Sequence, residues 1–342
     1  MVKYLIVISV VAVSLVLGTS IAWAQAVPST ANRAPLAAPP PVTPPTSLDA
    51  GAHLNPLKIA ELKWYISNTS TQFTVGKQPY GLCFDGSNIW SANYEDGTVT
   101  KIQANDGTVL GSYQVGPQPF GVLFDGANVW VTYGANGVAK LRASDGKNLG
   151  VFTVGSGSGG VGWMAFDGQN VWVPFSGGTV TKLGASDGKN LGTFTVGTDG
   201  IGSAFDGQNI WVTTYTNGTV QELRATDGTI LRTVNIGAGS EPLGVAFDGA
   251  NLWTANRGAG TVTEIRVSDG TVLGTFNAPD GPYGVAFDGT YIWLSGDLYT
   301  EVLRAKDGAL VAQWKINSTT GIAFDGAHVW ISNTNFNSVI KF

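Results

Sequence analysis

The side chains able to do acid, base or nucleophilic chemistry are few. Two histidines, one cysteine and 24 carboxylates stand among 342 residues. His53 lies in a proline-rich stretch and His328 in a turn, so neither accompanies a nucleophile, and Cys83 has no histidine to make it a thiolate. A single cysteine supplies neither an internal disulfide nor a multi-thiolate zinc site. Among the acids, 16 of 18 aspartates are followed directly by glycine, and 13 of those recur at two fixed places in a repeat. Asp-Gly at such places serves tight turns. Outside that series stand Glu95, Asp96, Asp199, Glu241, Asp280, Asp297 and Glu301. They offer oxygen ligands that suit calcium or magnesium if several converge; no other cofactor is expected.

Aromatic faces offer a different chemistry, recognition. Tyr80, Phe120 and Tyr283 occupy one repeat position, each between a proline and a glycine, and Trp163 stands close to the equivalent place. Tyr94, Tyr133, Phe175, Tyr215 and Phe336 fall in a second set of variable segments, with Arg257 as their arginine. The candidate ligand-binding residues are therefore Tyr80, Glu95, Asp96, Phe120, Trp163, Arg257, Tyr283 and Asp297. Aromatics mixed with a few charges suit stacking on sugar rings or gripping peptide segments. The same rings could instead cap the mouth of a channel.

A repeat must position these residues. Phe-Asp-Gly begins at Phe84, Phe124, Phe166, Phe205, Phe247, Phe287 and Phe324, and a tryptophan follows each Phe by six residues, from Trp90 to Trp330. The spacings are 40, 42, 39, 42, 40 and 37 residues. Each unit parses into four short strands, with the third like Thr179 to Leu183 and the fourth like Leu191 to Val196. Four strands in about 40 residues make the blade of a β-propeller. The expectation is an all-β, seven-bladed propeller over 57–342, with one or two helical turns at Leu57 to Tyr65 before its first repeat. The last unit stops after its third strand, Ser338 to Phe342, while an unused fourth-strand pattern, Thr71 to Gly76, precedes the first Phe-Asp-Gly. The N-terminal strand is thus expected to complete the last blade, leaving no open sheet edge. Residues common to all blades belong to the blade: the Phe and Trp ladders to the core, Cys83 to a small buried position held elsewhere by alanine. Function belongs where blades differ, in the loops joining second to third strands and each fourth strand to the next first strand, which share one face.

The GVAFDG, NVWV, TVTKL and LGTFTVG elements resemble the YVTN-type β-propeller repeats of secreted and surface-layer proteins, and more distantly the NHL-type and virginiamycin B lyase-like propellers. The resemblance spans Leu62 to Phe342. It implies the propeller fold and a family containing binding, scaffold and enzymatic members. For the lyases it implies histidine and glutamate around a divalent metal near the channel, and no histidine of this sequence falls in the channel loops.

Composition closes off other classes. With 43% hydrophobic and 11% aromatic residues the chain buries a sizeable core, which excludes disorder as a whole. A net charge of -5 with 19 basic residues excludes a nucleic-acid footprint. Residues 1–24 read as a secretory signal peptide, with Lys3, an apolar stretch from Tyr4 to Leu17 and Ala22-Trp23-Ala24 as the cleavage signature. An uncleaved anchor is the alternative, since Tyr4 to Ala24 is uncharged. Residues 25–56 hold eight of the 15 prolines and read as a disordered spacer. The expectation is an exported bacterial monomer, secreted, periplasmic or at the cell surface. No membrane insertion of the mature domain is expected. It would bind an envelope or extracellular ligand or protein without catalysis, with a metal-assisted lyase or lactonase-like enzyme and a purely structural surface role as alternatives.

Overall fold

Each Phe-Asp-Gly turn joins an inner strand to the strand carrying the tryptophan. The computed structural model describes residues 70–155, 160–278 and 281–342. All belong to one compact unit. The expected signal peptide, the expected spacer and Leu57 to Tyr65 lie outside the described residues.

Among the described residues the named strands form seven four-stranded antiparallel sheets, a seven-bladed propeller. Blade 1 runs from its inner strand Pro79–Phe84 through Asn88–Asn93 and Thr98–Gln103 to its outer strand Val109–Gln114. Blades 2 to 6 repeat this order over 119–153, 165–195, 200–235, 242–277 and 285–315. Blade 7 takes three strands from Thr319–Phe324, Val329–Asn333 and Ser338–Lys341, and its outer strand is Thr71–Thr74, paired Phe73 to Val339. The ring closes as the unused fourth-strand pattern implied. In blade 3 the third and fourth strands run Thr179–Gly184 and Asn190–Thr195, within one residue of the expected limits, with a bulge in their pairing between Lys182 and Leu183.

The repeated aspartate does more than turn the chain. Asp85 Oδ1 accepts the backbone N–H of Ser87 and Asn88, while Oδ2 accepts the Trp90 indole N–H at 2.7 Å. All seven tryptophans make this bond at 2.7–2.8 Å. An indole that is fully buried in six blades and 7% exposed at Trp293 thereby has its one donor satisfied. At Asp167 burial pushes the carboxyl up, but hydrogen bonds from Trp172, Asn170 and the Gln169 and Asn170 amides outweigh it and hold it below the usual range. The Phe ladder packs against the core clusters as expected, at their edge. Each Phe ends its inner strand and is only half-buried, whereas the tryptophans carry the core.

An aromatic of the outer strand lies on the tryptophan in six blades, with ring centroids 5.5–5.7 Å apart, and Phe73 does so for Trp330. That ring also packs on the Asp-Gly glycine of the next blade: a Cβ on Gly107 would collide with Phe73. At four seams a lysine spans the blades, buried in three and half-buried at Lys341. Lys101 Nζ sits 5.2 Å over Trp90 and donates to the carbonyl of Ala143 at 2.6 Å. Lys140, Lys182 and Lys341 repeat the arrangement.

The inner strands approach even more closely. Gly81, Gly121, Gly162, Gly202, Gly244, Gly284 and Gly321 each face a backbone carbonyl of the following blade, and a Cβ on any of them would lie 2.8 Å or less from that oxygen. In four blades a hydroxyl also bridges this contact: Thr213 Oγ1 accepts the Gly202 N–H at 2.8 Å and donates to the Leu243 carbonyl at 2.8 Å.

Two outcomes are expected. Deleting Thr71 to Gly76 should lower unfolding free energy by at least about 3 kcal/mol, the scale of losing one packed Phe, while deleting Ala26 to Pro56 should leave the denaturation midpoint of the propeller unchanged. Gly321→Ala, which drives a methyl into the Tyr80 carbonyl, should cost about 1–3 kcal/mol in the same measurement. Gly326→Ala, with no atom within 4 Å of its added carbon but a φ of +93°, should cost only about 1 kcal/mol.

Candidate functional site

The mouth of the propeller is built by two loop sets that hold each other. In six blades the backbone N–H of the residue four after the tryptophan donates to the carbonyl six residues before the blade's Phe, as Tyr94 does to Gln78 at 3.0 Å and Tyr215 to Asp199 at 2.9 Å. That carbonyl belongs to a residue with left-handed backbone in most blades, with φ of +50° at Gln78, +55° at Gln118, +57° at Asp199, +50° at Glu241 and +60° at Ser318. Left-handed non-glycine residues at a loop rim are a form of stored strain. A bulge then follows in the inner strand, between Pro79 and Leu82 in blade 1, and it carries Tyr80.

The aromatics over blades 1 to 3 form one continuous arc. Tyr94 lies 5.1 Å from Tyr80, Tyr80 5.3 Å from Phe120, and Phe120 5.0 Å from Trp163. Tyr80 is buried, while Tyr94, Phe120 and Trp163 are half-buried and keep ring surface open. Trp163 reaches the arc from a shifted position, three rather than four residues before its Phe, because Gly162 takes the place of the ring-bearing residue and makes the close inner contact.

Over blades 4 to 6 the mouth is polar. The Arg257 guanidinium lies 4.8 Å over the Tyr283 ring and 3.3 Å from Asp297 Oδ2. Tyr215 donates to Glu241 Oε2 at 2.6 Å and also meets Arg257. Burial and the Glu241 bond push the Tyr215 phenol up to about 12. Burial pushes Tyr283 up to about 12, with Arg257 pulling against it. Burial raises Asp297, again opposed by Arg257. The clusters adjoin: after burial, the neighbouring phenols Tyr283 and Tyr94 raise Tyr80 and Arg257 lowers it. Arg257 Nε is buried without a hydrogen-bond partner among the described residues.

The remaining acids do not converge. Glu95 accepts from the Gln78 amide at 2.7 Å, Asp96 from the Lys77 backbone N–H at 2.7 Å, and Asp199 from the Thr216 hydroxyl. Glu301 lies in the blade body, on the third strand of blade 6, 2% exposed and bonded to Gln313 at 2.7 Å. Asp280 is outside the described residues. Among the described residues no three His, Cys, Asp or Glu side chains lie close enough to share a metal ion.

Other residues move away from the mouth. Phe175 and Tyr133 end their strands and pack inward, Phe175 at 1% exposure, because glycines at 155, 177, 116 and 137 leave room for the rings. His328 sits in a Phe-Asp-Gly turn beside Asp325, its Nδ1 3.5 Å from Oδ2. Cys83 is half-buried rather than fully enclosed, and burial holds its thiol well above the usual range. Tyr94 and Tyr215 prove as central to the mouth as the residues singled out from sequence; their shared place, four residues after the tryptophan, is the signal that marks them.

Seven antiparallel blades around a rim that is aromatic on one side and charged on the other define a seven-bladed β-propeller. No family model and no curated protein matches the chain. Among solved structures, a streptogramin B lyase structure is similar at a TM-score of 0.69 and 16% identity, over 80% of this chain and 96% of that one. A catalytically inactive virginiamycin B lyase from Staphylococcus aureus, with quinupristin, is similar at a TM-score of 0.69 and 18% identity, and the selenomethionine-substituted enzyme from the same organism at 0.67 and 18%, each over 80% of this chain and 98% of the other. At such identity the likeness is one of fold alone.

The charged side of the mouth has a testable hierarchy. Arg257→Met, which removes the cation from the Tyr283 face, should lower denaturant stability by about 0.5–2 kcal/mol. Asp297→Asn, whose side chain is half exposed at 50%, should cost no more than about 1 kcal/mol.

Proposed function

We propose that this propeller is an exported, non-catalytic binding module that takes a carbohydrate or peptide ligand of the cell envelope or extracellular space at its channel mouth. The observation that carries this reading is the unbroken arc of Tyr94, Tyr80, Phe120 and Trp163, with successive ring centroids 5.0–5.3 Å apart and three of the four rings half open. Continuous stacking surface suits a flat apolar or sugar face. The buried, unpartnered Arg257 Nε supports an acceptor oxygen on the ligand, held against the polar side. Glu95, Asp96, Asp199, Glu241 and Asp297 outnumber Lys77 and Arg257 around the mouth, so a neutral or basic ligand fits better than a polyanion. The N-terminal signal and the proline-rich spacer are consistent with display outside the cytoplasm. Lyase activity is a property printed for the similar structures. Here each described mouth acid except Asp297 answers a neutral partner in its own loops, and Asp297 answers Arg257.

Trp163 supplies the readout. Titrating the protein with uncharged oligosaccharides and with a lysine-rich peptide, each from envelope digests, should change Trp163 fluorescence for at least one class. Phe120→Ala with Trp163→Phe should weaken that binding, followed by calorimetry, at least about tenfold. Binding unaltered in the double variant would remove the mouth from consideration.

A further inference from the structure

Blade 5 departs from a rule that the other polar seams keep. At the seams after blades 1, 2, 3 and 7 a lysine ammonium lies 5.1–5.2 Å over the buried tryptophan. It donates to two successive carbonyl oxygens of the next blade, the first at 2.6–2.7 Å and the second at 3.0–3.4 Å. Blade 4 carries Glu222 at the lysine position, and the cation comes from the strand alongside. Arg232, opposite Glu222 in register, places Nε 2.5 Å from Glu222 Oε2 and its guanidinium 5.9 Å from the Trp211 ring centre. It reaches the same pair of carbonyls, here Val267 and Ser268, at 3.4 Å. At blade 6 the seam is apolar, with Val302 at the lysine position and the Phe342 ring 5.5 Å from Trp293.

Blade 5 repeats half of the blade 4 arrangement. Glu264 stands opposite Trp253 in register, 9% exposed, and its Oε1 accepts the Asn251 amide at 2.7 Å, as Glu222 Oε1 accepts that of Asn209. The residue opposite Glu264, where blade 4 has Arg232, is Gly274. The next blade still turns after its third strand, so the carbonyls of Ala305 and Lys306 hold the repeat places of Val267 and Ser268. Lys306 makes no ion pair with Glu264 among the described residues. Asp248, which holds the Trp253 indole at 2.7 Å, adds a second negative charge. Burial first, then Asp248, push the Glu264 carboxyl up.

The geometry points to a binding site for a monovalent cation of ammonium size, potassium or ammonium itself, between Glu264 Oε2, the carbonyls of Ala305 and Lys306 and the face of Trp253. Size and charge select that class. The equivalent seams hold an ammonium nitrogen 2.6–3.4 Å from the carbonyls, whereas calcium takes oxygens at about 2.3–2.6 Å and magnesium at about 2.0–2.1 Å. One nearby carboxylate, two carbonyl dipoles and an indole face match a single, weakly hydrated positive charge. The bound ion would replace the missing side-chain cation and tie blade 5 to blade 6.

The test is thermal unfolding of the full chain at neutral pH and constant ionic strength, exchanging choline chloride for potassium or ammonium chloride. A ligand that binds only the folded ring raises its melting temperature. A saturable rise of about 2 °C or more is expected in either salt. Glu264→Gln should abolish the rise. Glu264→Lys, which restores the seam of blades 1 to 3, should melt above the parent in choline and no longer respond to potassium. Equal melting of the parent in choline and potassium would overturn the proposal, and so would a Glu264→Gln variant that keeps the full rise. A protonated Glu264 donating to the Ala305 carbonyl would give a different pattern. Its raised folded pKa would stabilise the ring in choline as pH falls through it, potassium would add nothing, and the cation site would be refuted.

Discussion

A buried indole N–H must find an acceptor, and in every blade it finds the aspartate five residues earlier. That bond decides much of the molecule. It lets the largest side chain of the repeat sit in the core without an unsatisfied donor, and it fixes the hairpin between inner and second strands, because the same carboxylate takes two backbone N–H groups of the turn. The aspartates are thereby committed. Both oxygens of each of these seven aspartates are engaged, by the turn and by the indole, so they serve the architecture of their blades.

The seams between blades follow the same economy of partners. A lysine over the tryptophan reaches the next blade's carbonyls, an outer-strand aromatic reaches its Asp-Gly glycine, and the inner glycines bring backbone against backbone around the channel. Blade 4 shows that the cation of a polar seam need not be a lysine: Glu222 occupies the position, and Arg232 arrives from the adjacent strand to cover the indole and meet the same two carbonyls. Blade 6 has Val302 at the position, and there Phe342 meets Trp293 and Trp314. Inner strands held this tightly give the mouth loops a rigid base, so the variable face can differ from blade to blade without disturbing the ring.

How far the site was legible follows from which residues repeat. Tyr80, Phe120 and Tyr283 stood out because they share a position and break the blade consensus, and the structure brings Tyr80 and Phe120 into ring contact while Tyr283 receives Arg257. Phe175 and Tyr133 fell in the variable segments without being candidates, and they turn inward onto a nearby glycine, Gly177 or Gly137, and onto a distant one, Gly155 or Gly116, that only folding brings beneath them. The acids were legible as exceptions to the turn series but not as a group. Asp96 and Asp199 answer neighbouring loop donors, and Glu301 faces Gln313 within a sheet. The repeated lysine passed as an ordinary strand residue, because nothing local distinguishes an exposed ammonium from one held across a seam.

Sequence alone determined the blade count, the strand order within each blade and the closure of blade 7 by Thr71–Thr74. These depend on turn chemistry and on a period, and both are written locally. It also determined which positions serve the blade, since seven copies in one chain act as their own comparison. Tertiary structure decided what crosses from one blade to the next: the glycine-to-carbonyl contacts, the cations over the tryptophans, the join between the aromatic arc and the Arg257 cluster. The glycine contacts, and the bonds by which the lysines reach the next blade, link residues about 40 positions apart or more, and their partners are backbone oxygens, which every residue carries and no sequence pattern singles out.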